Sequence, residues 1–272
     1  MHTQSRALLR RAAALITLSM APATGARADD PIQVNPNRPT FATPALTTQF
    51  GVMELESGVE HSDGRDGEDR SWSPFLLKLG LRKRLELRIG GNGLVRQTPA
   101  DTPAVIGFGD TTVGAQWCYL RHGLFGADEA VQFTWKLPTA SAAKGLGSGE
   151  PDGTFMILFS RDLGRFHADA NALVTWLGRP GTAGSDRQPA ATLSVSRTLN
   201  DRWSVTGEVY SIGATPQNPL IVSNLWAVGY KRTARLVLDG GVDVGVSHGA
   251  PKLSLFAGFT VGVCRFRHGA HG

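Results

Sequence analysis

The chain has 272 residues, 41% of them hydrophobic, with 28 Lys and Arg against 23 Asp and Glu, 33 glycines and two cysteines. The excess of +5 suggests a nucleic-acid partner, but four of its arginines (Arg6, Arg10, Arg11, Arg27) and no acidic residue lie in the first 28 positions. With that leader removed the net charge falls to +1, which excludes the basic-patch argument for nucleic acid, and two cysteines are too few for a disulfide framework.

The N-terminus reads as a secretory signal. Arg6, Arg10 and Arg11 form a positive region, residues 12–20 a short apolar core, and Ala26-Arg27-Ala28 a small-x-small cleavage site, so the mature chain is expected to begin at Asp29. The apolar core is too short to span a bilayer. The Arg10-Arg11 pair lacks the surroundings of a twin-arginine signal, which leaves the general secretory route. Residues 29–46 carry Pro31, Pro36, Pro39 and Pro44 and read as a periplasmic lead or as a plug entering a barrel built by the later residues. No later segment has 18 consecutive apolar residues, so a membrane role requires a barrel.

From residue 47 onward the pattern alternates with period two. Leu85, Leu87 and Ile89 oppose Arg84, Glu86 and Arg88; Val131, Phe133 and Trp135 oppose Gln132, Thr134 and Lys136; Ala168, Ala170 and Ala172 oppose His167, Asp169 and Asn171. Twelve such runs are expected, at 47–60, 72–81, 84–95, 107–119, 129–138, 153–162, 165–178, 188–198, 202–212, 221–231, 235–246 and 252–266. Most exceed the five or six residues of an ordinary strand and suit tilted strands crossing a hydrocarbon layer. Trp72, Tyr119, Trp176, Trp203 and Tyr230 fall near run ends, as interfacial girdles require.

Odd-numbered connections are long and polar or rich in Gly and Pro (61–71, 96–106, 139–152, 179–187, 213–220), whereas even-numbered ones are mostly tight. Residues 120–128 and 248–250 depart from that rule. The pattern predicts an all-β transmembrane antiparallel up-and-down barrel of about 12 strands spanning 47–266, with periplasmic termini and a tail at 267–272. The last run has an apolar face ending at Phe266, the form read by the barrel-insertion machinery, although the tail extends past that aromatic. Cys118 and Cys264 fall on strands that are not neighbours and are expected to be free thiols.

If the apolar faces meet lipid, the polar faces meet the lumen. The expected pore-lining set is Glu54, Glu56, Lys78, Arg84, Glu86, Arg88, Asp110, Lys136, His167, Asp169, Asn171, Glu208, Asp239 and Asp243, with Glu60 and Gln116 in the same phase. Acidic residues predominate, which favours cations or neutral solutes over anions; the alternative is that the charges pair and fill the lumen. Ser247-His248 is the best-placed rim pair for an enzyme, though turn composition explains it equally. His268 and His271 alone do not close a metal site. No cofactor is expected.

Gly109-Asp110, Leu137-Pro138-Thr139, the loop Gly147-Ser148-Gly149 with Asp152, and the His167, Asp169, Asn171 strand together resemble a family of Gram-negative envelope proteins, the MetA-pathway of phenol degradation family. Ala140 stands where that family would place a glycine after Leu-Pro-Thr. The resemblance implies a barrel of the bacterial outer membrane with hydrophobic or aromatic cargo, and no enzymatic role. The expected partners are outer-membrane lipids, a small solute and, during biogenesis, the insertion machinery. Three readings remain: a channel or transporter, a barrel enzyme acting on lipids, and a plugged structural barrel without flux.

Overall fold

The computed structural model describes residues 31–65 and 67–266. The expected signal (1–28), the first two residues of the Pro-rich lead, and the tail with His268 and His271 lie outside them.

Twelve strands form the wall: β1 (Val52–Asp63), β3 (Phe75–Arg82), β4 (Leu85–Gly91), β7 (Thr111–Leu120), β8 (Asp128–Leu137), β9 (Asp152–Leu163), β10 (Phe166–Gly178), β11 (Ser185–Thr198), β12 (Trp203–Ile212), β13 (Ile221–Thr233), β14 (Leu236–Gly245) and β15 (Leu253–Arg265). Each pairs antiparallel with the next wall strand, and β15 returns to β1 from Val52↔Arg265 to Asp63↔Leu253. Closure matters because an open edge would leave backbone groups unpaired in lipid.

The barrel is inside out relative to a soluble protein. Trp226, Leu193, Val209 and Leu255 are 50–59% exposed, whereas Lys78 and Glu54 are 0% exposed. Outward alternate residues therefore form an apolar belt and inward ones a polar lumen, the architecture of a protein of the bacterial outer membrane. Trp203 and Tyr230 sit opposite each other with ring centroids 4.7 Å apart beside the tight turns, near the level of Trp117 and Tyr119. Phe133 and Trp135 lie toward the other end. These pairs supply amphipathic rings at the two ends of the belt. The end that holds the start of β1 and the finish of β15 also carries the turns 83–84, 164–165, 199–202 and 234–235.

Three expected runs are broken. Run 72–81 divides at Ser73-Pro74 into β2 (Asp69–Trp72) and β3; run 84–95 divides at Asn92-Gly93 into β4 and β5 (Leu94–Thr98); run 107–119 divides at Gly109-Asp110 into β6 (Val105–Phe108) and β7. Pro74 has no N–H for a ladder. Gly93 adopts φ 57°, and a Cβ there would lie 2.2 Å from the Ser73 carbonyl oxygen. The bends are stitched together by Ser73 N to Leu94 O (2.9 Å), Leu94 N to Ser73 Oγ (3.0 Å) and Gly109 N to Gly93 O (2.9 Å). The short strands β2, β5 and β6 continue from β1 as a small sheet at the long-loop end. The first expected run also starts early. Residues 47–51 turn before β1, with Val52 N bonded to Gln49 O. Cys118 is buried, Cys264 exposed, and both are free.

Candidate functional site

β1 places Glu54 and Glu56 on its inward face, and β3 places Lys78 opposite Glu54. The Lys78 ammonium lies 2.7 Å from Glu56 Oε1 and 3.1 Å from Glu54 Oε2. Its other partners are not on the wall: it donates to the Asn35 carbonyl oxygen and, at 3.0 Å, to Asn37 Oδ1. The segment 31–48 thus lies within the barrel, and the inward side chains bind its backbone.

An irregular chain inside a barrel has no strand neighbours, so its N–H groups need other acceptors. The wall supplies them. Glu56 accepts Asn37 N (2.9 Å) and Arg38 N (3.0 Å); Glu208 accepts Phe41 N (2.8 Å) and Ala42 N (2.7 Å). Asn171 accepts Thr43 N (2.7 Å) and returns a bond to Thr43 O (3.0 Å). Ser160 Oγ accepts Ala45 N (2.7 Å), and Glu86 accepts Thr48 N (2.6 Å). Gln116 donates to Pro44 O (2.8 Å). The prolines of the segment have no N–H and so reduce the number of donors the wall must satisfy. Arg38 completes the attachment with a two-pronged contact to Asp239, Nη2–Oδ1 3.0 Å and Nε–Oδ2 3.2 Å, the fork geometry guanidinium favours. Phe41 stacks on Tyr210 at 4.8 Å, and the Tyr210 hydroxyl donates to Asp243 at 2.5 Å.

The expected lumen residues separate into three groups. Glu54, Glu56, Lys78, Glu86, Arg88, Asn171, Glu208, Asp239 and, through Tyr210, Asp243 converge on the segment or on its immediate partners, with Arg88 2.5 Å from Glu86. Asp169 joins them through Ser160 Oγ, and His167 bridges Asp169 (3.1 Å) and Asp162 (2.5 Å). Asp110 and Lys136 lie at the other end, where Asp110 accepts Ala140 N (2.9 Å) and Lys136 reaches Asp110 (3.4 Å) and Asp152 (2.7 Å), pinning the β8–β9 loop. Leu146 of that loop packs against Val95 and Ala140. Arg84 joins none of these: it is exposed in the β3–β4 turn at φ 70°. Ser160, Thr192 and Tyr210 also belong to the site, and in the sequence only their phase within polar faces marks them.

The segment leaves a crevice on the β10–β14 side. A cavity of about 230 Å³ is lined by Asn35, Arg38, His167, Asp169, Ser194 and Asp239. It shares Pro36, Ser204, Gly229 and Val237 with a wider one of about 580 Å³ at the tight-turn end. At the other end, Ser247 Oγ donates to Leu220 O (2.7 Å) and accepts Val222 N (2.8 Å), which gives it a loop-closing role apart from His248. Among the described residues no cluster of three or more His, Cys, Asp or Glu is placed to hold a metal.

Residues 49–262 match the sequence profile of the family described as Putative MetA-pathway of phenol degradation. The fold is similar to that of the COG4313 outer membrane channel from Pseudomonas putida F1, with a TM-score of 0.63, 14% identity, and coverage of 84% of this chain and 99% of that one. It is also similar to the NanC porin, with a TM-score of 0.51, 10% identity, and coverage of 78% and 100%. No curated protein matches the sequence.

Proposed function

The chain belongs to the Putative MetA-pathway of phenol degradation family, and from that premise we propose that it is an outer-membrane channel for small hydrophobic or aromatic solutes. The observation that carries this reading is the nature of the obstruction. The lumen is occupied by one peptide segment held through side-chain hydrogen bonds, with a crevice of mixed polar and apolar lining open beside it. A segment attached in this way can be released contact by contact, whereas a lumen filled by side chains of the wall itself cannot. The fold similarity to two outer-membrane proteins, one a channel and one a porin, supports the same reading. Transport through such a crevice requires no catalytic group.

The test is reconstitution of the mature protein in planar bilayers and in vesicles for solute uptake. Phenol-sized aromatic solutes are expected to enter faster than in protein-free vesicles, and ion conductance is expected to be small and to rise when residues 31–46 are deleted. Absence of aromatic-solute flux through the intact chain would overturn the proposal. A second reading, a structural barrel without flux, draws on the density of contacts to the segment; it predicts conductance only after the deletion.

A further inference from the structure

The outer wall carries a second constellation, independent of the lumen. The β1–β2 ladder sets His61 directly opposite Ser71, and Asp63 lies two residues further along the same outward face. His61 Nδ1 lies 2.9 Å from Ser71 Oγ, and His61 Nε2 lies 3.0 Å from Asp63 Oδ1. The neutral Nε2–H tautomer of His61 satisfies both contacts. Nε2–H donates to Asp63, and the Nδ1 lone pair accepts the Ser71 hydroxyl. A hydroxyl, a base bonded to it and a carboxylate orienting that base form the constellation that activates a serine nucleophile.

The surroundings supply the rest of a site. On β5, Arg96 pairs opposite Ser71, and on β15, Leu255 pairs opposite His61. A groove of about 520 Å³ runs beside His61 and Ser71, lined by Val59, Leu94, Leu255, Ala257 and Arg96. The groove opens on the face that elsewhere forms the apolar belt, so lipid chains are its natural occupants. His61 and Asp63 are about half exposed, which leaves the constellation open to substrate and water.

We propose that Ser71, His61 and Asp63 form a serine-hydrolase site that cleaves acyl esters of membrane lipids, with the acyl chain lying in the groove. Ser71 Oγ attacks the ester carbonyl carbon while His61 Nδ1 takes the hydroxyl proton. Arg96 supplies positive charge for the oxygen that becomes anionic. The carbon–oxygen ester bond then breaks, His61 protonates the departing alcohol, and an acyl-Ser71 ester remains. Water, deprotonated by His61, attacks that ester, releasing the fatty acid and restoring Ser71. No oxidant, reductant or metal is required.

The experiment uses the full mature chain folded in detergent, with phosphatidylcholine–phosphatidylethanolamine mixed micelles as substrate and a fluorophosphonate as a covalent probe. Fatty-acid release and labelling at Ser71 are expected. Both should vanish in Ser71→Ala and His61→Ala, and release should fall about 100-fold or more in Asp63→Asn. Ser247→Ala is the control expected to retain both. Heat-modifiable migration on gels establishes that each variant is folded. Release and labelling that are absent from the folded wild type, or that persist in folded Ser71→Ala, would overturn the proposal.

Discussion

Lys78 Nζ stands 2.7 Å from Glu56 Oε1 with both side chains shut off from solvent. The pair joins wall to lumen, because the same carboxylate receives the Asn37 and Arg38 amides and the same ammonium reaches Asn37. Lys78→Met keeps most of the volume and removes the charge, leaving Glu54 and Glu56 buried together. Breaking a buried pair in this way costs about 3–5 kcal/mol. The variant is expected to lose heat-modifiable migration at a lower temperature than the parent; an unchanged transition would refute the role given to Lys78.

Arg38 fastens the middle of the segment to β14 through Asp239. Hydrogen bonds to charged groups contribute about 1.5–3 kcal/mol each. Arg38→Ala should therefore loosen the segment without opening the wall. Single-channel recordings are expected to show larger or more frequent openings. A trace identical to that of the wild type would mean that the Arg38 contact does not govern occlusion.

Asn171 offers a finer probe, since it both accepts from and donates to Thr43. In Asn171→Ala the Thr43 amide loses its acceptor inside the barrel, at a cost of about 1–3 kcal/mol. Amide exchange at residue 43 should accelerate while the β10–β11 ladder keeps its protection. Uniform acceleration across that ladder would instead indicate a general loss of fold.

The apolar belt can be tested at Leu193, which faces outward from β11 and is 53% exposed. An arginine on the lipid face costs roughly 2–4 kcal/mol near the midplane and less toward the interfaces. Urea-driven unfolding from phospholipid vesicles should show that loss for Leu193→Arg. A neutral result would displace Leu193 from the hydrocarbon layer.

The wall is legible in the sequence because alternation over long runs has one economical explanation in lipid, and loop lengths alternate with it. The breaks at Asn92-Gly93 and Gly109-Asp110 are less so. Outward residues sit at 85, 87 and 89 in β4 but at 94 and 96 beyond the bend. Val95, apolar yet inward against Leu146, hides that phase slip from a hydropathy pattern. Inward orientation of Glu54, Glu56, Glu86 and Glu208 comes from phase alone. What they bind does not, because their acceptor role depends on the path of residues 35–48, and prolines exclude a strand there without fixing a course. Arg84 shows the opposite error. Alternation carried through a turn assigns an inward face to a residue whose backbone has already left the strand.

The ladder between β1 and β15 joins the first wall strand to the last. Residues 31–48 come just before β1, yet their partners lie on β1, β3, β4, β7, β9, β10, β12 and β14. The segment made before every strand of the wall is therefore the one that can be satisfied only last. Until the chain as far as Asp239 on β14 has been delivered and the cylinder has begun to close, the segment lacks its full set of polar partners. Protection of residues 31–48 from protease is thus a timestamp of finished assembly, set by chain order and topology.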